Sequence, residues 1–299
     1  MSKNKTPILI ILILISIIAF VIFAIPNARA SENKAMVQMF EPDEAAPLDP
    51  MLAMIRPANS LYEGLHNFVF YEYYFYGFPY FASSALSILP LRWLDRLADL
   101  PLVMLTLRQV ISVLPMLIAL LILVYMQDGF KTYRSILLYI FLLSVPAILQ
   151  NGFWWHPDGL VLLLSVLVIF FIWRDEQRFG WRFFLTAALI GILTATKMVG
   201  LYFFLMIAVV LVWGLAQKKL TWKKAIGYAI AYIAILAASY VLANPFLLSK
   251  WGRLEFWNIF RLQSDVLSQG YGITYEKGIT GAWDLMRTYY GEFLSLIHI

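Results

Sequence analysis

Three carboxylates stand within four residues in Met39-Phe40-Glu41-Pro42-Asp43-Glu44, shortly after the first apolar run of the chain. Like charges this close repel, and partial desolvation raises a carboxylate's pKa, whereas a neighbouring cation or metal lowers it. A carboxylate tuned in this way suits a general base that takes a proton from a hydroxyl. A solvated acidic turn is the plainer reading of the same residues. A second candidate is Gln150–Gly159, which carries Trp154, Trp155, His156 and Asp158 between two apolar runs. An ionisable residue so near a membrane surface is a functional candidate, although a carboxylate at a helix end also simply faces water. Trp154 and Trp155 offer flat faces for a sugar ring, or serve as interfacial anchors. Asp43, His156 and Asp158 are in addition a candidate divalent-metal set, though one His with scattered carboxylates is a weak pattern.

Lys197 interrupts two apolar runs within Thr194-Ala195-Thr196-Lys197-Met198-Val199-Gly200. A Lys at the bilayer centre costs about 2.5–3.5 kcal/mol on insertion scales, so an interfacial place is expected. There it either snorkels or aims its ammonium at a phosphate. Arg108 is expected on the same side, as an anchor, as the partner of a loop carboxylate, or as a second cation for a phosphate. Asn244-Pro245-Phe246 ends the last apolar run, because Pro cannot continue a helical hydrogen-bond ladder.

The elements that must position these residues are set by composition. The 299 residues are 62% hydrophobic and 14% charged, against about 45–50% and 25% in soluble domains. Lipid is the solvent such a chain needs. Nucleic-acid binding is not expected, since the formal charge of +5 lies in short clusters between apolar runs rather than on a basic aromatic face. With no cysteine, neither disulfides nor thiolate metal sites are available.

Runs long enough to span, or nearly so, are Pro7–Ile25, Leu102–Met126, Tyr133–Leu149, Leu160–Trp173, Phe183–Ala195, Met198–Ala216 and Ala225–Leu242. The predicted fold is all-α, a polytopic bundle of about seven spans. Lys3 and Lys5, Lys131 and Arg134, Arg174, Arg178 and Arg182, and Lys218, Lys219, Lys223 and Lys224 fall in alternate connections. The positive-inside rule puts these in the cytoplasm, with the N-terminus. The first run is longer than a secretory h-region, so Ala28-Arg29-Ala30 is read as uncleaved. The first outer loop is then long, 26–101, and its Tyr-rich Phe68–Leu89 stretch suits juxtamembrane or re-entrant helices rather than a span. Residues 1–248 form the membrane module, and 249–293 begin a second outer loop. Leu294–Ile299 reads as the in-frame translation of a common transposon sequencing adapter, so the gene is expected to have been cut near Phe293.

Taken in order, Pro42-Asp43-Glu44, Pro157-Asp158, Thr196-Lys197 with Val199-Gly200-Leu201, and Ala243-Asn244-Pro245-Phe246-Leu247-Leu248 resemble the GT-C superfamily of glycosyltransferases. The resemblance is to its protein O-mannosyltransferase and aminoarabinose-transferase-like branch. It implies a GT-C membrane module in the inner membrane, with a polyprenyl-phosphate-linked sugar as donor. Transfer would take place on the outer face, to a hydroxyl of a glycolipid, polysaccharide or protein. Asp43 then matches the acidic catalytic position with Glu44 beside it, Asp158 the second acidic position, and Lys197 a basic position. Glu41 stands where relatives often have His, a departure that bears on metal binding. The competing readings are a transporter or flippase of lipid-linked sugars, and a non-enzymatic membrane subunit. A transporter would be expected to show paired halves and broken helices at the midplane, and the sequence shows no repeat.

Overall fold

The computed structural model describes residues 5–269, with 279–281, 283–284 and 287 beyond them. Lys3, the hexapeptide Leu294–Ile299 and part of the expected second outer loop, 270–278 among it, lie outside the described residues. Met1–Ser249 forms one compact unit and Lys250–Ile299 another. Among the described residues the chain is helical, with no strand.

Helix α1, Lys5–Asn27, has 23 residues, about 34 Å at 1.5 Å per residue, enough to cross the hydrocarbon layer. Four shorter helices follow: α2 (Lys34–Phe40), α3 (Pro42–Ala53), α4 (Leu61–Val69) and α5 (Phe78–Trp93). They occupy the stretch expected as a long outer loop. Then α6 (Leu100–Leu107), a π-helical segment (Arg108–Val113) and α7 (Leu114–Asp128) run on as one rod. After a tight turn come α8 (Arg134–Leu143) and α9 (Pro146–Asn151), then α10 (Asp158–Asp175) and α11 (Trp181–Thr196). A 3-10 turn, Met198–Tyr202, leads into α12 (Phe203–Ala216), followed by α13 (Trp222–Leu242) and a second 3-10 turn, Pro245–Leu248. The second unit is described through α14, Lys250–Gln269.

Among the described residues four helical stretches are long and apolar enough to cross a membrane: Thr6–Asn27, Leu100–Asp128, Met198–Ala216 and Trp222–Leu242. Three further runs are shorter or interrupted as helices. The run Tyr133–Leu149 breaks at Ser144–Val145, where Pro146 opens α9; α8 alone covers about 15 Å. α10 carries Asp158, Arg174 and Asp175 at its ends, and α11 has 16 residues. The Phe68–Leu89 stretch is likewise not one helix. It ends α4, continues as an irregular segment from 70 to 77, and enters α5.

Many large apolar side chains face outward. Ile17, Ile22 and Ile25 of α1 are 54–61% exposed, as are Val209 of α12 (65%) and Ile230 of α13 (64%). In water such faces would associate or aggregate; in lipid they cost nothing. The buried cores lie between the rods. Leu12, Leu120, Val124 and Tyr139 pack α1, α7 and α8 together, and Phe183, Ile190, Ile207 and Tyr232 pack α11, α12 and α13. Gly191 lets α11 lie against α13, since a methyl there would collide with the Leu236 carbonyl.

Two aspartates tie turns at one end of the array. Asp128 accepts hydrogen bonds from the Lys131 and Thr132 amides and from the Thr132 and Ser135 hydroxyls, which fixes the turn between α7 and α8. Asp175 accepts from the Phe179 and Gly180 amides and closes a turn in which Glu176, Gln177 and Phe179 take positive φ.

Candidate functional site

At the other end of the array the chain brings together the end of α1, the start of α3, the π segment, the 150–159 connection and the end of α11. The Asn27 side chain donates to the Gly152 carbonyl (2.8 Å), and Arg108 Nη1 donates to the carbonyls of Asn27 (3.0 Å) and Arg29 (2.9 Å). The Ser112 hydroxyl donates to the Trp154 carbonyl at 2.6 Å. The wider helical turn of the π segment places Arg108 and Ser112 side by side toward this connection. Gly159 packs on the Ser112 backbone, leaving no room for a Cβ.

Glu44 and Arg108 form the floor. Arg108 Nε and Nη2 donate to the two Glu44 oxygens at 2.8 and 2.5 Å, and the side chains of Arg108 and Glu44 are 3% and 0% exposed. Glu44 Oε1 also accepts the Trp155 amide at 2.5 Å. Every guanidinium nitrogen therefore has a protein acceptor, and this corrects the expectation of Arg108 as a phosphate ligand. It is the partner of a loop carboxylate instead. Glu44 is corrected in the same way: sealed by its pair and by the Trp155 amide, it holds the site rather than taking protons in it. Trp155 is the third correction. It is fully buried, stacks on Tyr80 with ring centroids 5.2 Å apart, and donates its indole N–H to Ser84. No sugar ring can reach it.

Above this floor lies a chain of polar groups. The Tyr76 hydroxyl is 3.0 Å from His156 Nε2, and His156 Nδ1 is 3.0 Å from Asp158 Oδ2. Asp158 Oδ1 accepts from the Lys197 ammonium at 2.7 Å. With neutral His156, the tautomer that satisfies both neighbours carries its proton on Nδ1 and accepts from Tyr76. Burial pushes Asp158 toward protonation, but hydrogen bonds from His156 and Lys197 outweigh it and bring the carboxyl to about 2. Burial, with the charges of Asp43 and Asp158, raises the Tyr76 phenol, so it stays a proton donor.

Asp43 faces this chain from the first turn of α3, where Pro42 occupies the opening position and acidic side chains favour the helix N-terminus. Its side chain is exposed, unlike that of Glu44 one residue on. Its charge acts on Tyr76, Tyr73 and Glu41. Glu41 is raised by burial first and by the Glu44 charge second, and the Arg108 cation acts against this. Asp43, His156, Asp158 and Lys197, singled out in the sequence, thus share one end of the array. Trp154 is partly open, with one face taken by His156 at a ring separation of 4.1 Å and 6° between planes.

The candidate metal set does not fit. His156 Nε2 is taken by the Tyr76 hydroxyl, Asp158 Oδ1 by the Lys197 ammonium, and Asp158 Oδ2 and His156 Nδ1 face each other at 3.0 Å. Among the described residues no group of three metal-ligating side chains occurs.

Type and spacing do not single out Tyr76, Tyr80, Ser112 and Asn244 as members of the site. The Tyr-rich 71–80 stretch is the signal the sequence offers for the first two. Gly77 donates its amide to the Thr196 carbonyl at 3.3 Å, and Phe78 donates its amide to the Asn244 side chain at 3.1 Å. Tyr71 and Tyr74 then pack on Phe246, with centroids 5.9 and 4.5 Å apart. The Asn244-Pro245-Phe246 triplet ends its helix as expected and also anchors the tyrosine segment beside Lys197. Searches against family models, curated proteins and solved structures returned no match to this chain.

Proposed function

We propose that this chain is the membrane module of a glycosyltransferase that moves a sugar from a polyprenyl-phosphate donor to an acceptor hydroxyl on the outer membrane face. The observation that carries the reading is an open carboxylate, Asp43, close enough for its charge to act on Tyr76 of the Tyr76–His156–Asp158–Lys197 chain, at the end of the array opposite the basic connections. Seven spans with the N-terminus in the cytoplasm bring those basic connections inside and the acidic assembly outside. The shorter α8–α9 and α11 would reach the interfaces through flanking Tyr, Trp and Arg side chains. The residue resemblance to the GT-C superfamily supports the same assignment.

In this mechanism Asp43 accepts the proton of the acceptor hydroxyl as its oxygen attacks the anomeric carbon. The new C–O bond forms opposite the phosphate, the bond from that carbon to the phosphate oxygen breaks, and polyprenyl phosphate leaves with the bonding pair. The configuration inverts. Lys197 uses one N–H on Asp158 and is 35% exposed, so its other two can meet the departing phosphate. His156 and Tyr76 hold Asp158, and through it Lys197, in place. The open face of Trp154 is where a sugar ring would stack.

The test is Asp43→Asn in reconstituted vesicles with a radiolabelled polyprenyl-phosphate sugar. Transfer is expected to fall by at least about a hundredfold, the scale of general-base catalysis, with membrane insertion unchanged. Undiminished transfer would reject the role, and movement of intact donor across the vesicle without transfer would identify a transporter.

A further inference from the structure

The end of the array away from the acidic assembly carries a second feature, which the sugar-transfer reading does not use. Trp173, Trp181, Trp213 and Trp222 stand at the ends of α10, α11, α12 and α13 there, each 45–73% exposed. Exposed indoles gathered at one level mark a membrane–water interface. Between α10 and α12 at this level lies a cleft of about 440 Å³, walled by Trp173, Val209, Val210 and Trp213, with Asp175, Glu176 and Lys219 also lining it. Phe179 packs on Gly214, and a Cβ on that glycine would fall 2.5 Å from the ring. This contact brings the α10–α11 and α12–α13 connections together.

Those two connections are strongly cationic. One holds Arg174, Arg178 and Arg182; the other holds Lys218 and Lys219, with Lys223 and Lys224 just inside α13. The only carboxylates among these residues are Asp175 and Glu176. Asp175 is committed to the Phe179 and Gly180 amides, and Glu176 is paired with Arg178 at 2.7 Å. The lysines are exposed. An apolar slot open to lipid beneath a net-positive rim has the shape and charge of a site for a headgroup phosphate and its acyl chain.

We infer that this cleft binds an anionic phospholipid, with one acyl chain between Trp173 and Trp213 and the headgroup phosphate at Lys219 and Lys218. The site rests on the membrane setting and not on sugar transfer, so either proposal can fail without the other.

The test uses the whole chain, purified in detergent and titrated with phosphatidylglycerol or with phosphatidylcholine of the same acyl chains, bound lipid being counted by native mass spectrometry. Phosphatidylglycerol is expected to be retained in preference to phosphatidylcholine. A basic side chain at an anionic surface is worth about a fivefold change in affinity. Lys218→Gln with Lys219→Gln should therefore weaken phosphatidylglycerol retention about 25-fold. Val209→Trp, which fills the slot and keeps every charge, should abolish it. The two variants probe the site by charge and by volume, so loss of fold in one leaves the other decisive. Equal retention of the two lipids overturns the proposal, as does wild-type retention in either folded variant. Displacement of the lipid by inorganic phosphate alone overturns it as well, in favour of a simple anion site.

Discussion

Replacing Arg108 by Met removes the cation paired with the Glu44 carboxylate in a place where that carboxylate is 0% exposed. Breaking a buried ion pair from one side costs about 3–5 kcal/mol, because the remaining charge is left without a partner. The same change strips the Asn27 and Arg29 carbonyls of their donor. Among the described residues it leaves Glu44 the Trp155 amide as its one hydrogen-bond donor. For a domain of this size about 2–3 °C of melting temperature corresponds to 1 kcal/mol, which predicts a loss of about 10 °C. Adding Glu44→Gln should restore part of it. The glutamine side chain carries no charge yet keeps an oxygen for the Trp155 amide, so the double variant should be more stable than Arg108→Met alone by about 1–3 kcal/mol. The assay is thermal unfolding in one detergent at one scan rate, since membrane proteins unfold irreversibly and only matched scans compare. An Arg108→Met protein melting within about 2 °C of wild type would refute the buried pair. A double variant no better than the single would refute the coupling.

Other substitutions report on how the tyrosine segment docks. Gly77→Ala should destabilise by about 1–3 kcal/mol and lower transfer, because its Cβ would meet the Ala195 carbonyl oxygen and lift the segment from the end of α11; unchanged melting and transfer would contradict that contact. Asn244→Ala should cost about 1–3 kcal/mol by orphaning the Phe78 amide, as the melting temperature will show; a change below about 0.5 kcal/mol, roughly the noise of surface substitutions, would mean the bond is not made. Asp158 gives a pH dependence. Its carboxyl is lowered from the usual 3.8 to about 2 in the fold, so its contribution is complete above about pH 4 and is lost as pH falls from there to about 2. That shift corresponds to about 2 kcal/mol, discounted to about 1 for partial exposure. Melting curves should therefore decline less between about pH 4 and pH 2 in Asp158→Asn than in wild type; parallel declines would show that the carboxylate is not held.

A good part of this was legible residue by residue. Lipid as the expected solvent follows from composition alone, and four helices long and apolar enough to cross a membrane agree with it. Asp43, Asp158 and Lys197 stood out as charges at the edges of apolar runs, where ionisable groups are costly unless they have work or water. The basic connections likewise announced themselves by alternation. What the chain by itself did not reveal is which of two neighbours points inward. Glu44 and Asp43 differ by one step of a helix, about 100°, and only contacts 64 and 111 residues away, to Arg108 and Trp155, turn Glu44 into the interior and leave Asp43 open. Trp154 and Trp155 divide in the same way, one over His156 and one beneath Tyr80. The break at Ser144 and the recruitment of Tyr76 and Asn244 also depend on what packs alongside. Local residue types set the solvent, the charge pattern and the candidates. Partnership between distant segments, which no local pattern encodes, decided which candidates are free to act and which hold the others in place.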